Sequence, residues 1–249
     1  KKKIYLLLKD YSININNIKF RVCKTNRVWL RDSFPIFVKS KSNKKVLINW
    51  GFNGWAKYKN FNYDNKICNK IKKFLGLQTV TPIINNKRII LEGGSIDVNG
   101  KGILLTTREC LLSNIQARNR GLKKREYEFI FKKYLGIKKV VWLNKGIKGD
   151  DTHGHIDDFA RFVSEKKIFL ASESSKKNIN YKSLKENYQI IKKSIKTKKF
   201  KIIKIPMPKA KYINGIRVPA TYLNFYIANK IVLVPIFNDK KDKIVIRIF

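Results

Sequence analysis

Four stretches of this chain read as strand, short polar turn, strand: residues 34–49 around Lys41-Ser42-Asn43, 95–107 around Asn99-Gly100, 159–171 around Ser164-Glu165-Lys166, and 223–235 around Asn229-Lys230. Each joins two β-prone runs, and Asn99-Gly100 is the strongest signal for a two-residue type I′ turn. Between them, apolar residues return at spacings of three and four over 63–75, 123–135 and 181–195, which predicts three helices. Gly76 and Gly136 stop the first two, in the matching phrases Phe74-Leu75-Gly76-Leu77 and Tyr134-Leu135-Gly136-Ile137. A further strand follows each helix, over 79–84, 139–143 and 200–205. The turns recur roughly every sixty residues, so the chain repeats a β-β-α-β unit. Such units set around an axis form an α/β propeller, which is the predicted fold class; an ordinary open α/β sheet is the competing arrangement.

The repeat gives meaning to isolated polar residues. Asp157-Asp158-Phe159-Ala160-Arg161-Phe162-Val163 follows the same pattern as Asp32-Ser33-Phe34-Pro35-Ile36-Phe37-Val38, so Asp32 and Asp157 occupy one position in two modules. Ahead of the second hairpin stands Glu92, ahead of the third His155 and Asp157, and at the fourth Asn224. Modules related by rotation bring equivalent positions together, and the expected pocket carries three carboxylates, an imidazole and an amide. Carboxylates closed into one pocket repel each other unless a cation enters. A guanidinium suits them, being planar, permanently charged and rich in N–H donors that two carboxylates can grip. One histidine beside acids could also take a divalent metal, but with a single nitrogen ligand and separated acids no metal site is expected.

Each residue also has a plainer reading. Asp32 could pair with Arg31 at the surface, Glu92 could cap the Gly93-Gly94 turn, and Asn224 could be a satisfied core amide. Asp150 and Asp151 are expected to order their loop, His153 to be structural or peripheral, and Cys110 to be a small buried hydrophobe.

Size and composition narrow the class. With 249 residues and 43% hydrophobic content, the chain can bury a substantial core, and one domain over 1–249 is expected. No apolar run approaches the roughly twenty residues of a bilayer span, so a cytoplasmic protein without membrane partners is expected. Three scattered cysteines, Cys23, Cys68 and Cys110, suggest neither disulfides nor zinc. The charge of +39, from 56 Lys and Arg against 17 Asp and Glu, raises nucleic acid as a partner. Lysine is spread along the chain and rises together with isoleucine and asparagine, as in an AT-biased coding sequence, so no specific nucleic-acid site is expected.

At these residues the chain resembles the agmatine deiminases, within the family that includes bacterial-type peptidylarginine deiminases and the guanidino-group-modifying superfamily of five-bladed α/β propellers. The phrases that carry the resemblance are Trp29-Leu30-Arg31-Asp32-Ser33-Phe34-Pro35, Trp50-Gly51-Phe52-Asn53-Gly54-Trp55, Leu91-Glu92-Gly93-Gly94-Ser95-Ile96, Leu105-Thr106-Thr107-Arg108-Glu109-Cys110-Leu111-Leu112, residues 149–163, and residues 217–229. The resemblance implies a substrate, agmatine, whose guanidinium is held by Asp32 and Asp157, with Asn224 nearby and with Glu92 and His155 handling protons. Hydrolysis to N-carbamoylputrescine and ammonia, in putrescine formation, would need no cofactor. In the family a cysteine thiolate from a C-terminal His-Cys motif attacks the guanidinium carbon, and this sequence has no such motif. It therefore reads as about four of five modules, incomplete at both ends and inactive alone. Deimination of peptidylarginine, and a catalytically dead basic remnant that binds nucleic acid, are the alternative functions; homo-oligomerisation is left open.

Overall fold

A computed structural model describes residues 2–195 and 200–249, and these form a mixed α/β fold. Three sheets share one plan. In the first, Ile36–Lys39 runs antiparallel to Lys45–Ile48, helix Ile67–Leu75 crosses over, and Gln78–Val80 returns parallel to the middle strand. The second repeats this with Asp97–Val98, Ile103–Thr107, helix Lys124–Leu135 and Lys139–Leu143. The third uses Ala160–Ser164, Lys167–Ser172, helix Tyr181–Ser194 and Lys201–Pro206. A fourth hairpin, Tyr226–Ala228 with Ile231–Leu233, is followed by helix Asp242–Ile248. Gly76 and Gly136 close their helices at φ of 63° and 67°, the left-handed cap that the repeated phrase predicts.

Four details differ from the sequence reading. The helix expected over 63–75 is broken at Lys66 into Asn62–Asn65 and Ile67–Leu75. Its first turn is held elsewhere: Asp64, almost fully buried, accepts the backbone N–H groups of Asn26 and Arg27, and Asn65 accepts that of Phe52. The strand expected over 79–84 ends at Val80 because Pro82 has no N–H to donate, and Ile83–Ile84 pairs instead with Lys87–Arg88. The Asn99-Gly100 pair does not form a two-residue turn. The loop extends to Gly102, and the Asn99 side chain accepts the N–H groups of Lys101 and Ile103. Helix Lys2–Asp10, hairpin Lys211–Ile213 with Ile216–Val218, and the last helix have no counterpart in the sequence reading.

Two apolar cores meet at the strand Ile103–Thr107. Leu104 enters one with Val46, Trp50, Leu91 and Phe131, while Leu105 enters the other with Leu143, Phe159, Leu170 and Phe225, as successive residues of a strand must. Polar links then tie the modules in sequence. The backbone N–H of Gly94 donates to Asp32, and Arg161 Nε donates to Asp97 at 2.5 Å. Arg161 Nη1 reaches the carbonyls of Leu223 and Phe225, and Arg31 donates to the same Phe225 carbonyl at 2.8 Å. The last contact joins the fourth hairpin back to the first module. Among the described residues no helix is long and apolar enough to cross a membrane.

Arg161 is thus a buried cation joining three modules. Replacing it (Arg161→Met) leaves Asp97 without its contacting cation and the Leu223 carbonyl without a donor, with Arg31 alone left on the Phe225 carbonyl, which is expected to cost about 3–5 kcal/mol in urea-induced unfolding. A loss below about 1 kcal/mol would mean that apolar packing alone holds the modules together.

Candidate active site

The same local device delivers a functional side chain from each of the first three modules: one short turn of helix immediately ahead of the hairpin. Leu30–Ser33 carries Asp32, Gly93–Ser95 follows Glu92, and Ile156–Asp158 follows His155 and carries Asp157. Asp32 is fixed on both oxygens, accepting the Gly94 N–H on Oδ1 and the Trp55 indole N–H on Oδ2, each at 3.0 Å. Trp55 can reach it because the preceding Asn53-Gly54 turn sets Trp55 itself at φ 58°. The loop before His155 is organised by Asp150, whose carboxylate accepts the N–H groups of Thr152, Gly154 and His155.

These turns bring Asp32, Glu92, His155 and Asp157 to one place, all of them buried. Nδ1 of His155 lies 3.9 Å from Asp32 and 3.8 Å from Asp157, and Nε2 lies 3.8 Å from Glu92. Gly94 sits between the three modules. A Cβ there would lie 2.6 Å from Asp32 Oδ1, 2.6 Å from His155 Nδ1 and 3.0 Å from Asp157 Oδ2, so only glycine fits. Asp32, His155 and Asp157 form one wall of a cavity of about 900 Å³ that is also lined by Trp29, Tyr58 and Asn224, with Glu92 behind His155. Arg31 borders it as well, with Nε 3.2 Å from Asp157 Oδ2, so one side of Asp157 already faces a guanidinium.

The electrostatics follow from crowding acids around one imidazole. Burial by itself would strip His155 of its proton, but the charge of Asp32, then the Cys110 thiol and Glu92, hold it protonated well above the usual range. Burial likewise opposes ionisation of Glu92, and Arg118 beside it, with His155, more than offsets this, down to about 2. Asp157 is pushed up to about 6 by burial despite the attraction of His155, and Asp32 is raised for the same reason. Asp158 is driven well upward by burial and by its neighbours Asp150 and Asp157. Burial is thus the main obstacle to ionising Asp32 and Asp157, and a cation seated between them would offset it. The pocket can hold a flat cation between Asp32 and Asp157 and exchange protons at His155.

The other expected residues fall in several places. Asn224 borders the cavity, but its amide donates to Asp158 at 3.0 Å. Asp151 accepts the Tyr58 hydroxyl at 2.6 Å near the cavity wall. His153 is half-buried and turns to Ser113 at 3.3 Å, away from the cluster. Cys110 is fully buried, yet it is not surrounded by hydrocarbon alone. Glu92, Cys110 and His155 each turn one ligand atom inward, all within 4.8 Å of one another, a set of residue types that could hold a metal ion. Neither Cys23, Cys68 nor Cys110 lines the cavity. Trp55, Arg118 and Asp158 are functional neighbours that sequence reasoning passes over. The Asn53-Gly54 turn is a usable signal for Trp55, whereas nothing separates Arg118 from the many other basic residues.

The chain is similar to known proteins along most of its length. The sequence model of the Porphyromonas-type peptidyl-arginine deiminases matches residues 2–249. A Legionella pneumophila protein named "Putative agmatine deiminase" is 32% identical over 238 residues, covering 94% of this chain; the chain spans 66% of that protein's length. Among solved structures, a C. jejuni agmatine deiminase with substrate bound is 33% identical, with a TM-score of 0.84 over 96% of this chain and 69% of its own. An Enterococcus faecalis agmatine deiminase is 28% identical, with a TM-score of 0.79 over 90% of this chain and 67% of its own. By sequence along nearly its whole length, and by the fold that brings these acids together, the chain belongs to the Porphyromonas-type peptidyl-arginine deiminase family.

Proposed function

We propose that this chain is the guanidinium-binding and proton-transferring part of an agmatine deiminase, built as one α/β-propeller-type domain. The observation that carries the reading is the convergence of Asp32, His155 and Asp157 at one cavity wall, with Glu92 against the far side of the imidazole. Agmatine enters with its guanidinium between Asp32 and Asp157, each able to accept N–H donors with charge assistance. Trp55 and the Gly94 N–H keep Asp32 aimed and favour its ionised form.

The net reaction takes up one water and yields N-carbamoylputrescine and ammonia. A guanidinium nitrogen leaves only when protonated, and His155, kept charged by the acids around it, carries the proton at the ring nitrogen facing the carboxylates. The neutral imidazole then takes a proton from water as the ureido product forms. Glu92 remains ionised throughout because Arg118 stabilises its charge. Covalent attack on the guanidinium carbon is assigned to none of the three cysteines, since none borders the cavity.

Calorimetric titration with agmatine tests the reading directly. Binding to the 249-residue chain that is lost in Gly94→Ala, with the circular dichroism spectrum unchanged, is expected, because the added methyl fills the space between Asp32, His155 and Asp157. Unaltered affinity in Gly94→Ala would show that agmatine binds elsewhere, and tighter binding of an arginyl peptide than of agmatine would shift the substrate to protein arginine.

The pH dependence has a definite sign. With Asp157 raised to about 6, its carboxyl is mostly neutral at pH 5 and mostly ionised at pH 7. Agmatine affinity is therefore expected to rise about tenfold between these two values. A flat or falling profile would remove Asp157 from the binding role.

A further inference from the structure

We propose that Arg118 is the positioning residue of this site: its guanidinium ties Glu92 to the loop before His155, and so sets the free oxygen of Glu92 against the imidazole. The inference deepens the deiminase reading and rests on it for its catalytic meaning, but its test does not require turnover.

Arg118 and Glu92 are both fully enclosed by the fold, with Nε 3.0 Å from Glu92 Oε1. The other two guanidinium nitrogens are also committed. Nη1 donates to the Gln116 carbonyl at 3.0 Å, and Nη2 donates to the Thr152 carbonyl. Thr152 belongs to the Asp150-organised loop that ends at His155. Gln116 in turn donates its side-chain amide to the carbonyls of Trp55 and Asp151. The short segment 116–118 thus bridges three parts of the site: the turn that aims Trp55 at Asp32, the Glu92 strand end, and the His155 loop.

Arg118 does not border the cavity, so it has no direct contact to offer a substrate. Its influence runs through Glu92, whose one side-chain hydrogen bond among the described residues is to this guanidinium. The second oxygen, Oε2, and Nε2 of His155 are both buried without a hydrogen-bond partner and face each other at 3.8 Å. A shift of less than an ångström closes this gap. The pair is therefore held near contact by whatever fixes Glu92, and that is Arg118. A lysine cannot substitute: one ammonium is a point charge, whereas three acceptors here are met by a planar fork.

Further charges bear on the imidazole. Asp32 and Asp157 face Nδ1, Arg31 lies beyond Asp157, Glu92 faces Nε2, and Cys110 lies within 4.8 Å of the ring. Arg118 counters only Glu92 in direct contact, with Asp150 as a more distant anion. Without Arg118, Glu92 loses the cation that keeps it ionised in a dry site, and His155 loses the anion behind it.

The chain contains two histidines, so nitrogen-15 NMR can follow His155 and His153 separately. In the parent chain His155 is expected to remain an imidazolium through neutral pH. In Arg118→Met its titration is expected to fall by about one pH unit or more, a tenfold or greater loss of the protonated form, while His153, which the Arg118 charge holds down, is expected to move the other way, upward. Glu92→Gln should lower it too, and the double variant Arg118→Met/Glu92→Gln should fall no further than Glu92→Gln alone, because one residue acts through the other. The double variant also removes the buried charge that would make the single ones hard to fold. Arg118→Lys should recover only part of the titration. An unchanged His155 in Arg118→Met, or a double variant that falls by the sum of both, overturns the proposal. Absence of agmatine binding by the parent would instead count against the deiminase reading and leave this result standing.

Discussion

The site depends on one electrostatic constraint: three carboxylates, Asp32, Glu92 and Asp157, surround a single imidazole where water is largely excluded. Like charges so close in a medium of low polarity cannot all remain ionised unless cations alternate with them. The fold meets this partly from within. Arg118 stands behind Glu92, Arg31 beside Asp157, and His155 lies in the middle, so acids and bases follow one another from the cavity wall into the buried interior. What stays uncompensated lies on the side open to the cavity, between Asp32 and Asp157. In the proposed function the guanidinium of agmatine completes the alternation, which gives a physical reason for such a site to take a flat cation.

The architecture serves this arrangement. Each sheet is covered by its crossover helix, which leaves the turn ahead of the hairpin free to carry a polar residue toward its neighbours. Arg161 and Arg31, meeting at the Phe225 carbonyl, tie the fourth hairpin to the third module and to the first. Small residues set the closest approaches. Gly93 lies against the Arg31 carbonyl and Gly94 against the acid cluster, so the Gly93-Gly94 pair is a packing requirement as much as a turn.

Much of this was legible in the sequence, for identifiable reasons. The β-β-α-β unit could be read because strand and helix impose different periods on apolar residues and because Gly76 and Gly136 end equivalent helices in equivalent phrases. Asp32 and Asp157 could be paired because the hydrophobic frame around them repeats. Residues whose role comes from non-local contacts were not legible. Nothing in the order of residues says that Asp64 will turn inward to bind Asn26 and Arg27 and so break a helix at Lys66. Pro82 was visible and does end its strand, while Asn99 misled because its own side chain closes a longer loop than the Asn-Gly pair suggests. Arg118 was hidden among 56 basic residues, and Cys110 looked like a core residue because sequence does not reveal that a buried thiol faces a buried imidazole.

The central claim is that Asp32 and Asp157 together form the cation seat, and the most direct test is agmatine titration of Asp32→Asn/Asp157→Asn. Asparagine keeps the shape and one acceptor oxygen but removes both charges, and at position 32 one of the two N–H bonds that Asp32 accepts is lost with the charge. The account expects affinity to fall by more than about a hundredfold in a chain that remains folded, since the change also relieves repulsion between the two acids. Agmatine binding within a few fold of the parent would contradict it.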